Sequence, residues 1–470
     1  MSVIHWFRRD LRVQDNTALH AALKSGQPVV PVFILDEGIL KSPRAGAQRA
    51  VFLFHALQSL DDRLRSYGTR LLLRRGHPQQ ILPALVEEMG AEAVYLNADY
   101  SPYARARDAT IVSMLTIPLH VYDDVMLIPP QAVFTKQGKP YTVFTPYRKT
   151  WSLQPKPPVS TLAISAGMFH LLTNIASEPL PTPDATLSLP EASEDAAHAF
   201  LDAFVSQDLR HYATTRNHLV INPFVIPRPE GSSYLSPYLR LGLLSPRQAY
   251  QRAQAAHETA STHSIDTWIN ELAWRDFYMQ VLYHFPHVLT RDFKPQYGTL
   301  AWDNDPALLH AWQAGQTGYP IIDAPMRQMN AIGWMPNRAR MIVASFLCKD
   351  LLIHWKAGED YFMQHLIDGD PAANNGGWQW AAGTGTDAQP FYRIFNPVTQ
   401  SQNFAEPEYL RFWLPELKDV ADEDIHAPWM MAAPPPGYPH PIVDHAQARE
   451  HTLAVFRQLR HTVKDPEEDS

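Results

Sequence analysis

The chain has 470 residues, of which 45% are hydrophobic and 19% are charged, so a large core can form and wholesale disorder is excluded. The 40 Lys and Arg residues against 48 Asp and Glu residues leave a net charge of −8, which does not indicate nucleic-acid binding but leaves room for a local basic patch. The single cysteine, Cys348, excludes an internal disulfide and fits a reducing compartment. No apolar run reaches the roughly 20 residues of a membrane span and no signal peptide is apparent, so we expect a soluble cytoplasmic protein.

The first part of the chain alternates short apolar runs with amphipathic stretches. The runs at residues 3–7, 29–35, 70–73, 93–96 and 119–122 predict five buried strands. Helices are predicted between them at residues 16–24, 49–66, 78–89 and 105–115, with Asp15 as the N-cap of the first. This order predicts an α/β domain with a five-stranded, parallel, doubly wound sheet. The first strand is not followed by GxGxxG, so the usual dinucleotide-binding fingerprint is missing.

A Pro- and Ser-rich stretch near residues 153–190 lacks sustained periodicity and predicts a connector over the surface. We therefore expect an α/β domain over residues 1–130, a connector over residues 131–192 and an all-α domain over residues 193–470. Helical periodicity dominates the last of these, and one of its predicted helices runs from residue 338 to residue 355.

The segment WINELAWRDFY, residues 268–278, is the first that indicates a function. At about 100° per residue, five of its side chains fall within an arc of roughly 120° on one helix face. These are Trp268, Glu271, Trp274, Arg275 and Tyr278. One interpretation is a Glu271–Arg275 surface pair flanked by core aromatics. The other is a pocket wall that stacks planar rings and hydrogen-bonds their edges.

Three further segments carry polar groups in unusual settings. In GSSYLSP, residues 231–237, hydroxyls beside a glycine could bind a phosphate or simply cap a helix. In NAIGWMPNRARM, residues 330–341, Pro336 fits the first turn of a helix that carries basic residues. These basic residues could serve a binding site or could simply face solvent. In DGDPAANNGGWQW, residues 368–380, the calcium-loop spacing fails after two aspartates, so we predict no metal, and the small residues suggest backbone close to a bulky ligand. Together the four segments predict a site for a large planar cofactor and leave a nucleobase site open.

Seven motifs resemble those of the class I photolyase/cryptochrome family, most closely the bacterial cyclobutane pyrimidine dimer photolyases. They are WFRRDLRVQDN, EGSSYLSPYLRLGLLSPRQ, NELAWRDFY, TGYPIIDAPMRQ, GWMPNRARM, LIDGDPAANNGGWQW and RIFNPVTQ. The resemblance covers nearly the full length and is densest over residues 231–415. It implies an enzyme, a monomeric deoxyribodipyrimidine photolyase, acting on single- or double-stranded UV-damaged DNA. Reduced FAD in the helical domain would pass an electron to a flipped-out dimer and split it.

The resemblance also assigns residues. FAD would be bound by Tyr212, Ser232, Ser233, Tyr234, Leu235, Ser236, Trp268, Arg275, Asn337, Arg340, Asp368, Gly369, Asp370 and Asn374, with Asn337 facing N5 of the isoalloxazine. DNA and the lesion would contact Arg216, Glu271, Trp274, Arg275, Tyr278, Asn337, Arg338, Met341, Trp380, Arg393 and Gln400. Glu271, Trp274 and Asn337 would be the catalytic residues. Trp302, Trp355 and Trp378 would form an electron-transfer chain between the flavin and the surface.

The sequence departs from the family pattern at three places. Pro336 stands where bacterial relatives usually have His, and the stretch NHLVINPFVIP lengthens the chain between Arg216 and Ser232. Tyr103 and Ala104 replace the Asn–Glu pair of folate-binding relatives, which favours an 8-hydroxy-5-deazaflavin-type antenna over methenyltetrahydrofolate and leaves FMN, FAD or an empty site open. Two other functions are considered. One is a blue-light receptor without repair activity, and the other is repair of the 6-4 photoproduct, for which His would be expected at Pro336 and Met341.

Overall fold

The computed structural model describes residues 2–172, 175–182, 187, 189–224, 231–388 and 390–462. Parts of the predicted connector and of the NHLVINPFVIP stretch lie outside these residues. The chain divides into two compact units. The first comprises Met1–Ala213, Ser232–Pro286 and Ile367–Ala372, and the second comprises Thr214–Gly231, His287–Leu366 and Ala373–Ser470.

The first unit contains the predicted five-stranded parallel sheet, in the order β3-β2-β1-β4-β5. The strands are β1 Ser2–Phe7, β2 Val29–Asp36, β3 Leu72–Gly76, β4 Ala91–Asn97 and β5 Leu119–Tyr122. The α/β class is confirmed, but β3 begins two residues later than the first residue of its predicted run. Pairing with β2 begins at Leu72, and Arg70, which precedes the strand, donates from its guanidinium to the carbonyls of Leu172 and Ile175.

Helices surround the sheet and continue through the rest of the first unit. They are α1 Thr17–Lys24, α2 Glu37–Leu40, α3 Ala47–Ser66, α4 Pro78–Met89, α5 Pro102–Met114, α6 Phe144–Leu153, α7 Glu194–Ala203, α8 Tyr212–Thr215, α9 Ser236–Leu241, α10 Pro246–Gln254 and α11 Thr262–His284. A π-helical turn, Phe204–Asp208, follows α7, and α8 ends in the second unit.

The predicted N-cap of α1 is wrong. Asn16 caps the helix, because its side chain accepts a hydrogen bond from the Leu19 N–H at 3.1 Å. Asp15 has a positive φ of 50° and its buried carboxylate pairs with Arg247 at 3.1 Å. Because its carboxylate is engaged in this ion pair, Asp15 does not cap α1.

The second unit is helical over its described residues. Its helices are α12 Pro306–Ala314, α13 Pro320–Ile332, α14 Asn337–Ser345, α15 Trp355–His365, α16 Pro371–Ala382, α17 Pro397–Phe404, α18 Pro407–Trp413 and α19 His445–Thr462, of which α16 begins in the first unit. Pro336 is the N-cap of α14 and lies one residue before its first turn. Within the described part of the chain, no helix combines the length and apolar content needed to cross a bilayer.

The predicted single helix over residues 338–355 is wrong, since the chain forms two helices there. A π-helical turn, Phe346–Asp350, ends the first, and Leu352 has a positive φ of 47° that interrupts the helical path. Trp355 then starts α15, whose N-terminus is capped by the His354 side chain.

A buried carboxylate sets the rotation of α11. Asp276 is 1% exposed and accepts hydrogen bonds from the backbone N–H groups of Leu127 and Ile128 and from Nε1 of Trp151 at 3.3, 3.0 and 3.0 Å. Burial raises the pKa of Asp276 to about 6, against the opposing effect of Arg275 and these donors. Asp276 lies about 140° around the helix from Glu271. When the hydrogen bonds fix Asp276 in the interior, the predicted functional face therefore points in a different direction from this carboxylate.

Candidate functional site

The first part of the candidate site is the predicted face of α11. Trp268 is 3% exposed, whereas Glu271, Trp274, Arg275 and Tyr278 are half-buried. The Arg275 guanidinium donates to the carbonyl of Val125 at 2.6 Å and to that of Leu239 at 3.4 Å. These contacts to backbone carbonyls favour the pocket-wall interpretation over a solvated Glu271–Arg275 pair.

Trp274 is held in a cluster of rings. Its indole stacks on Phe144 with ring centroids 3.6 Å apart and planes 8° from parallel. Phe277 meets it edge-on at 5.6 Å, and Tyr278 lies 5.4 Å away. Phe144 is the first residue of α6 and was not predicted from the sequence, although Phe144, Tyr147 and Trp151 repeat at helical spacing.

The hydroxyl-bearing loop 231–236 precedes α9. Gly231 and Tyr234 have positive φ values of 133° and 53°, so the backbone turns sharply twice. Ser233 and Tyr234 are buried, Ser232 is half-buried, Leu235 is the N-cap of α9 and Ser236 is exposed. The structure therefore presents hydroxyls of differing exposure beside the start of a helix, as the sequence predicts.

Phe204 joins two of the predicted FAD-binding residues. Its ring lies 5.7 Å from Tyr212 and 5.4 Å from Trp268. Phe204 is the first residue of the π-helical turn after α7, and sequence analysis did not single it out. π-helical turns within helices are often found at functional sites. This turn could have pointed to Phe204 only after the backbone was known.

Half-buried arginines lie around the predicted residues Asp368, Gly369 and Asp370 within the first unit. Arg9 donates to Asp370 at 2.7 Å, and Arg240 donates to the Gly369 carbonyl at 2.8 Å. Burial would raise the pKa of Asp370, but Arg9, Arg240 and Arg275 hold it well below its usual value.

Two arginines of this cluster have lowered pKa values. Burial lowers the pKa of Arg240 to about 10, and repulsion from Arg9 and Arg49 adds to the effect despite nearby Asp370. The pKa of Arg49 is also lowered to about 10, mainly by burial, although Asp368 and Asp370 oppose the shift. Burial lowers the pKa of an arginine because it penalises the charged form. Guanidinium groups are good donors to phosphate oxygens, so the donor set of this cluster fits the phosphates of a dinucleotide cofactor such as FAD.

The second unit places several predicted DNA contacts at the start of α14. Asn337 is exposed, with its Nδ2 3.8 Å from Sδ of Met341. Arg338 donates to Oδ1 of Asn217 at 3.0 Å and lies over the ring of Phe404 at 4.5 Å. Arg340 donates to the carbonyl of Met335 at 2.8 Å.

Two predicted cations in this part of the chain lie close enough to repel. Burial and the charge of Arg216 both lower the pKa of Arg338. Gln400 lies one helical turn before Phe404 on α17, whereas Arg393 is exposed at the turn that precedes this helix. Phe404, which Arg338 covers, and Asn217 were not identified from the sequence.

The three tryptophans of the predicted electron-transfer chain belong to one region of the second unit. Trp378 and Trp355 are 2% and 0% exposed in a single hydrophobic core, and the half-buried Trp302 packs against it. The ring of His354 lies 5.2 Å from Trp355 and 5.3 Å from Trp302. Trp378 and Trp355 thus lie inside the core and Trp302 at its partly exposed edge, and their order in a chain stays a prediction.

Helix α16 carries the remaining predicted residues. Asn374 donates to the carbonyl and to Oε1 of the buried Glu359 at 2.9 and 3.1 Å. Trp378 follows Asn374 by one turn, and the half-buried Trp380 packs against the same core. Glu271 and Trp274 belong to the first unit while Asn337, Met341 and Trp380 belong to the second, so their convergence on one lesion stays a prediction.

Two family models match the chain. Residues 3–163 match the model described as DNA photolyase, and residues 268–458 match the FAD binding domain of DNA photolyase. A protein of Synechococcus sp. named deoxyribodipyrimidine photo-lyase is 40% identical over 484 residues, which cover 99% of this chain and 98% of the relative.

Two solved structures resemble the fold over nearly its whole length. A bacterial class III photolyase from Agrobacterium tumefaciens has a TM-score of 0.87 and 34% identity, and 98% of each chain is covered. A cryptochrome of Synechocystis sp. PCC6803 has a TM-score of 0.84 and 33% identity, with 97% of this chain and 99% of that chain covered.

Proposed function

Because the chain belongs to the photolyase/cryptochrome family, we propose that it is a deoxyribodipyrimidine photolyase, which uses light to split cyclobutane pyrimidine dimers in DNA. The observation that carries this conclusion is the α11 face, where the stacked, half-buried Trp274 lies one turn from Glu271. A planar aromatic surface beside a carboxyl group suits a pyrimidine pair, whose rings stack and whose edges form hydrogen bonds. We assign the enzyme to class I on the seven motifs that resemble that class.

FAD, when bound and reduced, supplies the light-driven electron that opens the cyclobutane ring. The chain's own residues bind and orient it. We propose that the guanidinium groups of Arg49 and Arg240 favour an anionic cofactor in this position. The residues proposed to hold FAD are Tyr212, Ser232, Ser233, Tyr234, Leu235, Ser236, Trp268, Arg275, Asn337, Arg340, Asp368, Gly369, Asp370 and Asn374.

The lesion would be held by aromatic stacking. Flipping a nucleotide out of the duplex costs a few kcal/mol, and less for a damaged pair. Stacking on an aromatic ring returns roughly 1–3 kcal/mol per base. We propose that Trp274 and Trp380 provide these rings and that Glu271, Asn337 and Met341 contact the dimer's edges. Tyr278, beside Trp274, would complete the aromatic surface.

The DNA backbone would be bound by the cations near α14. Arg216 and Arg338 lie close together, so the approach of a phosphate would relieve their repulsion. Such a local patch is compatible with a net charge of −8 for the whole chain. Arg393 and Gln400 are proposed to extend it along the strand.

A light-dependent repair assay tests this function. Irradiated DNA is incubated with the reduced, purified protein under blue light and in the dark, and dimers and 6-4 photoproducts are counted separately. We expect cyclobutane dimers to disappear only in the light and 6-4 photoproducts to persist. Persistence of both lesions in a protein that holds FAD would instead support a receptor, and loss of the 6-4 product would support the other repair activity.

We further propose an antenna chromophore of the 8-hydroxy-5-deazaflavin type. Tyr103 stands where folate-binding relatives have Asn, and its hydroxyl donates to Asp36 at 2.9 Å. Burial and this carboxylate raise the pKa of Tyr103 to about 12, so it stays a neutral donor. Absorption and mass spectra of the released chromophores test the assignment; folate, FMN, a second FAD or no second chromophore would each overturn it. We propose that the enzyme acts as a cytoplasmic monomer; the single, buried cysteine fits a reducing compartment.

A further inference from the structure

Three buried tryptophans of the second unit differ in what their indole N–H groups meet. Nε1 of Trp355 donates to Oδ1 of Asp292 at 2.8 Å, and this carboxylate is only 5% exposed. Nε1 of Trp312 donates to the neutral carbonyl of Val343 at 3.0 Å. Nε1 of Trp378 is buried and meets no acceptor among the residues that the structure describes. One of the three indoles is therefore in direct contact with a carboxylate.

Trp378 has one tryptophan ring beside it and also contacts a helix that begins with another tryptophan. The ring of Trp312 lies 5.9 Å from it in an edge-on arrangement. Helix α15 touches it so closely that a Cβ added at Gly358 would lie 2.1 Å from Cη2 of Trp378. Trp355 is the first residue of that helix, one turn before Gly358. Geometry alone therefore leaves two routes, through Trp312 or through Trp355.

We propose that Asp292 selects the route, because its buried carboxylate stabilises positive charge on Trp355 and not on Trp312. This inference rests on the proposed electron-transfer chain of Trp378, Trp355 and Trp302. A full charge at hydrogen-bonding distance in a poorly solvated core stabilises a radical cation far more than the dipole of a carbonyl does. Asp292 is a positioning residue for charge, since it contacts neither cofactor nor substrate in this scheme.

The electrons balance along this route without any bond being broken. Trp378 loses one electron to the light-excited, oxidised flavin and becomes a radical cation. Trp355 gives one electron to Trp378, and Trp302 gives one to Trp355. A dissolved thiolate then gives one electron to Trp302 at the surface and becomes a thiyl radical. The indole proton of Trp355 stays in its hydrogen bond to Asp292 throughout.

The variant Asp292→Asn tests the inference, because it removes the charge but keeps an oxygen that can accept the N–H. In the FAD-loaded protein we expect roughly a tenfold lower yield of oxidised Trp302, read by transient absorption after a flash. Asp292→Glu, which restores the charge, should recover most of the yield. Asp360→Asn, at a half-buried position of α15 whose carboxylate pairs with Lys356, is the matched control and should leave the yield unchanged. A wild-type yield in Asp292→Asn would overturn the inference.

Two further measurements keep the inference testable if Asp292→Asn does not fold or retain FAD. Trp312→Phe should leave the yield unchanged, and a several-fold loss would show that Trp312 carries the charge. In the dark protein, the indole N–H resonance of Trp355 should lie downfield of that of Trp312, as expected for a bond to a carboxylate. The reverse order would contradict a charged Asp292.

Failure of the inference is distinguishable from failure of the proposed chain. Trp355→Phe should abolish the long-lived signal from Trp302 if the chain is correct. If Trp355→Phe leaves the signal from Trp302 unchanged, the electron-transfer chain is misassigned. If it abolishes the signal while Asp292→Asn does not, only the role of Asp292 is rejected.

Discussion

The indole of Trp274 lies parallel to the phenyl ring of Phe144, with centroids 3.6 Å apart and an angle of 8° between the planes. Phe144 begins α6 and Trp274 lies in the middle of α11, so the stack joins two helices of the first unit. It covers one face of the indole and fixes the plane of the ring. A stacking surface that is already oriented loses little side-chain entropy when a base is added to it.

Trp274→Ala should therefore weaken binding of dimer-containing DNA by about 1–3 kcal/mol, which is the usual contribution of one stacked base. Binding of undamaged DNA should change little, because it relies on phosphate contacts. Fluorescence anisotropy with both DNAs measures the two affinities. Phe412→Ala, which removes an exposed aromatic of α18, is the control and should alter neither. Equal losses with both DNAs for Trp274→Ala would argue against stacking.

Arg338→Ala should weaken binding to all DNA sequences and reduce the slope of log affinity against log salt by about 1. The side chain lies beside Arg216 and over Phe404, where a phosphate would find two cations. Titrations at several salt concentrations measure the slope. Arg252→Ala removes an exposed arginine paired with Asp202 and should leave the slope as it is. The assignment fails if both variants give the same slope.

Trp302→Phe should slow light-driven reduction of oxidised FAD, because phenylalanine is much harder to oxidise than tryptophan. Trp302 is half-buried and its ring is 5.3 Å from that of His354, which adjoins Trp355. Repair by protein that has been reduced chemically should continue, since it does not use this chain. Both are followed by absorption spectroscopy on one preparation. Unchanged photoreduction would show that Trp302 is not the surface member of the chain.

Asp276→Asn should lower the free energy of unfolding by about 1–3 kcal/mol at neutral pH. Three donors converge on this carboxylate, and an amide would turn its own N–H₂ group toward at least one of them. Urea unfolding measures the loss. Asp266→Asn, an exposed position on the same helix, should have little effect.

The loss should also depend on pH. Burial raises the pKa of Asp276 to about 6, above the value of roughly 3.9 expected in the unfolded chain. The folded protein therefore binds more protons between these values, and the contribution of Asp276 to stability falls as pH rises through that window. The stability gap between wild type and Asp276→Asn should be larger at pH 4 than at pH 8. A gap that does not change with pH would mean that the pKa of Asp276 is the same in the folded and unfolded chains.

Local signals in the sequence predicted much of the fold. Helix α4 has its predicted bounds because Pro78 suits a first turn and Gly90 takes the left-handed conformation that ends a helix. Helix α16 was not predicted, since Gly376 and Gly377 disfavour helix by about 1 kcal/mol each. Its start is instead supported by Asp370, which accepts from the Ala372 N–H at 2.9 Å.

The candidate site was predictable where its residues share one element. The face of α11 follows from helical spacing alone, because the helix continues unbroken from Thr262 to His284. The partners supplied by distant parts of the chain were not predictable. Phe144 stacks on Trp274, 130 residues further along the sequence, and Arg49 of α3 approaches Asp368. Such contacts depend on tertiary packing, which a single sequence does not encode in any local pattern.

The most direct test of the central claim is to count restored thymine pairs in an oligonucleotide that carries a single cyclobutane dimer. The FAD-loaded, chemically reduced protein is mixed with it and given a series of blue flashes, and the products are separated by chromatography. The account predicts that intact dTpT accumulates with each flash, stays at zero in the dark and falls sharply for Trp274→Ala at limiting protein. A dimer that survives saturating light, with FAD bound and DNA in complex, would contradict it.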